Sequence, residues 1–200
     1  MALSGLFLAS FLVVHLYINL FLFVRDDGRE YDAYAEFMST YPLLRPLEVA
    51  LFAGFLLHSA LGIWLWLMNR RARPVKYALR KAGETSDFSS RIMWVTGPII
   101  AVFLVIHINE FFIVSRFLTP GRSMYDIVAE AFLNPWTVAL YLVALALLGY
   151  HLHHGFQSAF QTFGVRHEHY KRLIDLAAAL FWLVIPLGFA AMPLYFFWGK

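Results

Sequence analysis

The sequence predicts an all-α integral membrane protein of five transmembrane helices, and three observations carry that reading. Hydrophobic residues make up 60% of the 200-residue chain, aromatic residues 18% and charged residues only 14%. A water-soluble chain of this balance has too few polar groups to cover its surface, so the excess apolar side chains need lipid. Five apolar runs are long enough to cross a bilayer core of roughly 20 residues: 2–24, 47–68, 92–114, 136–160 and 173–197. The charged residues gather between these runs, which makes the net charge of +3 a topology signal rather than a nucleic-acid surface. No loop is long enough for a folded soluble domain, so the whole chain reads as one transmembrane domain.

Taken in order, each span has its own signature. The first begins at Met1 without a basic flank, holds FLVVHLYINLF with His15, and continues through Asn19 with no small-residue cleavage site. An acidic loop follows, with Asp26, Asp27, Glu30, Asp32 and Glu36. The second span places His58 between Gly54 and Gly62 in FLLHSALGIW. After it come Arg70, Arg71, Arg73, Lys76, Arg80, Lys81 and Arg91. The third span holds FLVIHINEFF, with His107 and Glu110, and Pro120, Gly121 and Pro135 shape the turn to the fourth. The fourth ends in ALALLGYHLHHGFQSAFQTFG, with His151, His153 and His154. Arg166, Lys171 and Arg172 lead into the fifth, which has no histidine after residue 169.

The positive-inside rule puts the two basic loops in the cytoplasm, the N-terminus inside and the C-terminus outside. With that orientation His15 and His107 lie in the outer halves of their spans, and His58 and His151 towards the inner ends of theirs. Four histidines at two matched depths, each depth served by two helices, suit two haems held by paired imidazoles. The small residues around two of them leave room for a flat ligand: Gly54 and Gly62 beside His58, and Ala144, Gly155 and Ser158 beside His151. A lone intramembrane histidine is otherwise a helix–helix contact or a proton relay. Without cysteine the chain has no thiolate haem ligand, iron–sulfur ligand or disulfide.

The string HLHHGFQSAFQTFG, with FLxxHLxxNLF in the first span, GxxxHxxxG in the second and FxxxH in the third, resembles the five-helix, dihaem cytochrome b membrane anchor of succinate:quinone oxidoreductases and fumarate reductases. The likeness runs from about Leu6 to Pro186, and it departs from the family before the first span, where a basic segment is missing. It implies two haem b groups, with His15 and His107 as the outer axial pair and His58 and His151 as the inner pair. It implies a bound quinone, menaquinone or ubiquinone, and flavoprotein and iron–sulfur subunits docked on the cytoplasmic side of a bacterial inner membrane. Arg91, Gln157 and Gln161 are then placed for inner-haem propionates, with solvated loop-edge positions as the alternative. Succinate chemistry falls to the partner subunits.

Two finer assignments follow. His151 is the expected ligand of the fourth span: His153 points about 200° away, and His154, about 60° round, shares its face with bulkier residues. Glu110, one turn from His107, is a candidate for quinone-linked proton transfer; the alternative is a carboxylate that reaches the interface or pairs with Arg116. Two other functional classes stay open from the residues: the quinol-oxidising dihaem subunit of another respiratory complex, and a haem-free proton-coupled transporter. The fourth-span motif argues against the first, and a visible absorption spectrum separates the second.

Overall fold

In lipid a backbone must satisfy its own hydrogen bonds, so long apolar runs become helices. The computed structural model of the chain describes residues 1–72, 88–165 and 168–199, apart from the side chains of residues 88–91, 168 and 169. Among the described residues the five expected membrane-crossing helices are present, at Ala2–Phe23, Leu44–Arg71, Ile92–Leu118, Pro135–Thr162 and Tyr170–Trp198. Two short helices join them at one end.

Helix α1 (Ala2–Asn19) tightens into a 3₁₀ turn at Leu20–Phe23. The chain then reverses through Asp27 and Gly28, both at positive φ. Asp26 organises the reversal, because its carboxylate accepts from the amides of Gly28 (3.0 Å) and Glu30 (2.7 Å). Helix α2 (Arg29–Thr40) is short and polar, with one buried side chain, Tyr31. Helix α3 (Leu44–Arg71) ends on Arg70 and Arg71, whose charges suit a helix C-terminus.

Helix α4 (Phe88–His107) passes directly into a π-helix, Ile108–Leu118. The switch comes immediately after His107, and the wider turn closes with Thr119 N–H donating to Val114 at 2.8 Å. Helix α5 (Met124–Ala131) is capped by Ser123, whose hydroxyl accepts from the Asp126 amide. Helix α6 (Pro135–Thr162) starts with Asn134 as cap and Pro135 in its first turn, and helix α7 (Glu168–Trp198) carries Pro186 and Pro193.

Helix α6 lies at the centre and packs against α1, α4 and α7. Its buried residues are Val138, Tyr141, Ala144, Leu145, Gly149, Leu152 and Ala159. Pro186 has no N–H for the Trp182 carbonyl one turn earlier. At that point α7 comes so close that a Cβ on Gly149 would lie 3.3 Å from the Trp182 oxygen. Helix α1 seats Leu16 against Gly188 of α7 in the same manner. Helix α3 is outermost and has no buried residue.

Helices α2 and α5 meet over one end of the bundle, here termed the capped end. Tyr125 N–H donates to Asp32 at 2.9 Å, and a Cβ on Gly28 would run into the Tyr125 ring. Arg45 and Arg116 both bond to Glu48 and to carbonyls at the C-terminus of α2. Exposed tryptophans mark both ends of the apolar band, Trp136 and Trp198 at the capped end and Trp64, Trp66 and Trp94 at the other. This is the position that amphipathic rings take at a membrane surface.

Candidate functional site

The four histidines come together in two pairs. His15 of α1 and His107 of α4 have ring centres 5.9 Å apart with planes at 89°. His58 of α3 and His151 of α6 have ring centres 6.2 Å apart with planes at 70°. The first pair lies nearer the capped end and the second nearer the opposite end. Two imidazoles bound to one metal from opposite sides, each through a bond of about 2 Å, would have ring centres about 6 Å apart. The donor set therefore fits a six-coordinate haem iron at each level. Among the described residues no cluster of three or more His, Asp or Glu forms a metal site, and a haem with two axial imidazoles requires none.

Hydrogen bonds to the imidazoles bear on which nitrogen remains available. Tyr141 O–H donates to Glu110 Oε2 at 2.8 Å, so the phenol oxygen, 3.3 Å from His107 Nδ1, can accept that nitrogen's proton. Ser4 O–H donates to the Met1 carbonyl, so its oxygen, 3.2 Å from His58 Nδ1, can accept in the same way. In both histidines the proton then sits on Nδ1 and the Nε2 lone pair is left to bind a metal. His15 is held differently. The Asn19 amide donates to the His15 carbonyl at 2.7 Å, lies 3.4 Å from Nδ1, and accepts the Tyr31 hydroxyl at 3.3 Å. Burial, and then the adjacent Asp32 carboxylate, push the Tyr31 phenol up from its ordinary range, so it stays a donor. His151 Nδ1 is buried and has no hydrogen-bond partner among the described residues.

The other expected site residues fall in three places. Glu110 reaches His107 through Tyr141, while Arg116 is taken by Glu48 at 3.0 Å. Gln157 lies 3.3 Å from His153, whose ring packs edge-on against Trp182 at 5.2 Å, away from the His58–His151 pair. Gln161 is exposed near the end of α6, and the side chain of Arg91 lies outside the described residues. The space expected beside His58 is partly filled from α1: Gly54 faces Phe7, where a Cβ would be 2.9 Å from the ring, and Gly62 faces Met1. Beside His151 the space is open, because a Cβ on Gly155 would meet nothing within 4 Å.

Tyr141, Tyr31 and Ser4 are the polar partners that the sequence reading did not single out. Asn19 carried a signal, since it stands one turn after His15. Tyr141 carried only the weak signal of a hydroxyl inside an apolar run, and nothing local ties Ser4 to His58 across two helices.

The family model described as succinate dehydrogenase/fumarate reductase transmembrane subunit matches residues 68–187, more than half of the chain. No curated protein and no solved structure matches it.

Proposed function

The chain belongs to the succinate dehydrogenase/fumarate reductase transmembrane subunit family, and from that premise we propose that it is a dihaem cytochrome b anchor carrying electrons between an iron–sulfur subunit and membrane quinone. The observation that supports this most directly is the pairing of the four histidines, His15 with His107 and His58 with His151, at separations of 5.9 Å and 6.2 Å. When bound, haem b supplies the one-electron chemistry, and the protein sets its properties through axial ligation, burial and nearby charge.

The residues have distinct tasks in this reading. His107 and His58 would hold the two groups through Nε2, with Tyr141 and Ser4 keeping their protons on Nδ1, and His15 and His151 would complete the two pairs. Glu110 is the candidate proton acceptor for a quinone at the capped end. One of its oxygens accepts a hydrogen bond from the Tyr141 hydroxyl, and the other makes no hydrogen bond among the described residues. Gln157, Gln161 and Arg91 are retained as candidates for propionate contacts at the opposite end, with Gln157 first having to leave His153. The basic loops 69–91 and 161–172 face the cytoplasm of a bacterial cell and receive the flavoprotein and iron–sulfur subunits, whose docking face would be acidic.

The absorption spectrum of the dithionite-reduced protein tests the central claim. Sharp visible bands and two haems per chain are expected, and a purified chain without them would overturn it. Orientation has its own test. Single cysteines replacing Ala33 and Ala82 are expected to label with an impermeant reagent from outside and inside, respectively. Labelling of Ala82 from outside would invert the topology and move the docking side.

A further inference from the structure

Tyr141 is 5% exposed, in the second turn of α6, where the buried neighbours along the helix are the apolar Val138, Ala144 and Leu145. Its ring is wedged between Phe103 at 4.9 Å and Phe132 at 5.0 Å, both edge-on, which fixes where the hydroxyl points. The hydroxyl stands between two groups of another helix, His107 Nδ1 at 3.3 Å and Glu110 Oε2 at 2.8 Å. These two groups flank the point where α4 becomes a π-helix, and an irregular turn of this kind is retained at a cost in hydrogen-bond geometry.

We propose that Tyr141 is a positioning residue for His107, accepting a hydrogen bond from its Nδ1–H and passing the polarisation on to the Glu110 carboxylate through its own O–H. The inference rests on the reading that His15 and His107 ligate a haem. The order of donation follows from the chemistry: a carboxylate can only accept, so the phenol proton goes to Glu110 and the phenol oxygen faces His107. An imidazole that donates from Nδ1 to an acceptor is a more basic ligand at Nε2, and its orientation is fixed. A more basic axial ligand favours the ferric over the ferrous state and so lowers the reduction potential. No similar chain serves the other pair, where His58 has only Ser4 and His151 Nδ1 has no partner among the described residues. The effect is therefore confined to one haem.

The test is potentiometric titration of both haems in membranes holding the full complex, with the His15–His107 haem identified as the one missing from His107→Ala. In Tyr141→Phe that haem is expected to become easier to reduce by about tenfold, or about 59 mV for one electron, while the other stays in place. Glu110→Gln, which leaves Tyr141 packed, should move it the same way by less, and should add nothing in the Tyr141→Phe background. If Tyr141→Phe sheds the haem altogether, Glu110→Gln alone decides, through its shift or the lack of one. Unchanged potentials, equal shifts in both haems, or additive shifts in the double variant would overturn the inference. Absence of haem from the wild-type chain would overturn the ligation reading beneath it instead.

Discussion

The two histidine pairs are alike in separation, and each has one imidazole facing a hydroxyl oxygen, but the packing around them differs. At the capped end, His15 and His107 sit among aromatic rings, with Phe11 stacked on His15 at 5.2 Å and Phe189 tilted against it at 5.4 Å. Polar side chains run from both imidazoles towards the cap, through Asn19 to Tyr31 and through Tyr141 to Glu110. At the opposite end, His58 and His151 sit among small residues, with Gly5 against the His58 ring and open space at Gly155. The first pair is enclosed by aromatic rings, and the second has open space on the Gly155 side, although Phe7 and Met1 fill part of the space beside His58. Aromatic packing and buried hydrogen bonds restrict rotamers, whereas glycines leave the backbone bare and the imidazoles free to adjust. The first pair should therefore respond to changes in its partners, and the second chiefly to changes in the histidines themselves.

The largest expected effect probes the second pair directly. If the chain holds the two proposed haems, His151→Ala should lose one of them and spare the one at His15 and His107, while His153→Ala and His154→Ala keep both. Haem content and reduced-minus-oxidised spectra read this out. A normal haem content in His151→Ala, with haem lost in His154→Ala, would move the ligand by one turn and break the pairing with His58.

Gly28→Ala should break the cap. Gly28 is at φ 81°, and an added Cβ would run into the Tyr125 ring, so neither the backbone nor the space accepts a side chain. Left-handed strain and overpacking together should cost about 2–4 kcal/mol. On heating the solubilised protein, the His15–His107 haem should be released first. Simultaneous release of both haems at the wild-type temperature would show that the cap does not support that pair.

Smaller effects sharpen the contrast. Asn19→Ala removes the link between Tyr31 and His15 and should cost about 1 kcal/mol, with a spectral change confined to the His15–His107 haem. Ser4→Ala removes the hydrogen bond between Ser4 and His58 and should cost less, about 0.5 kcal/mol. A larger loss at Ser4 than at Asn19, measured by thermal release of each haem, would reverse the ranking of the two environments.

Much of this architecture was legible in the chain. Apolar runs of bilayer length must become helices in lipid, whatever their neighbours, so the five spans could be read from hydropathy alone. The meeting of His15 with His107 and of His58 with His151 was anticipated because depth along a helix follows directly from residue number at about 1.5 Å per residue. The π-helix after His107, Tyr141 between His107 and Glu110, Arg116 on Glu48 instead of Glu110, and Phe7 in the space beside Gly54 were decided by the tertiary structure. Each depends on how one helix is rotated and set against another. Hydropathy and periodicity fix which face of a helix is apolar, but the azimuth of a polar group relative to a second helix is set by packing across the whole bundle. A shift of one residue in that register would carry the Tyr141 hydroxyl about 100° round α6, away from both of its partners.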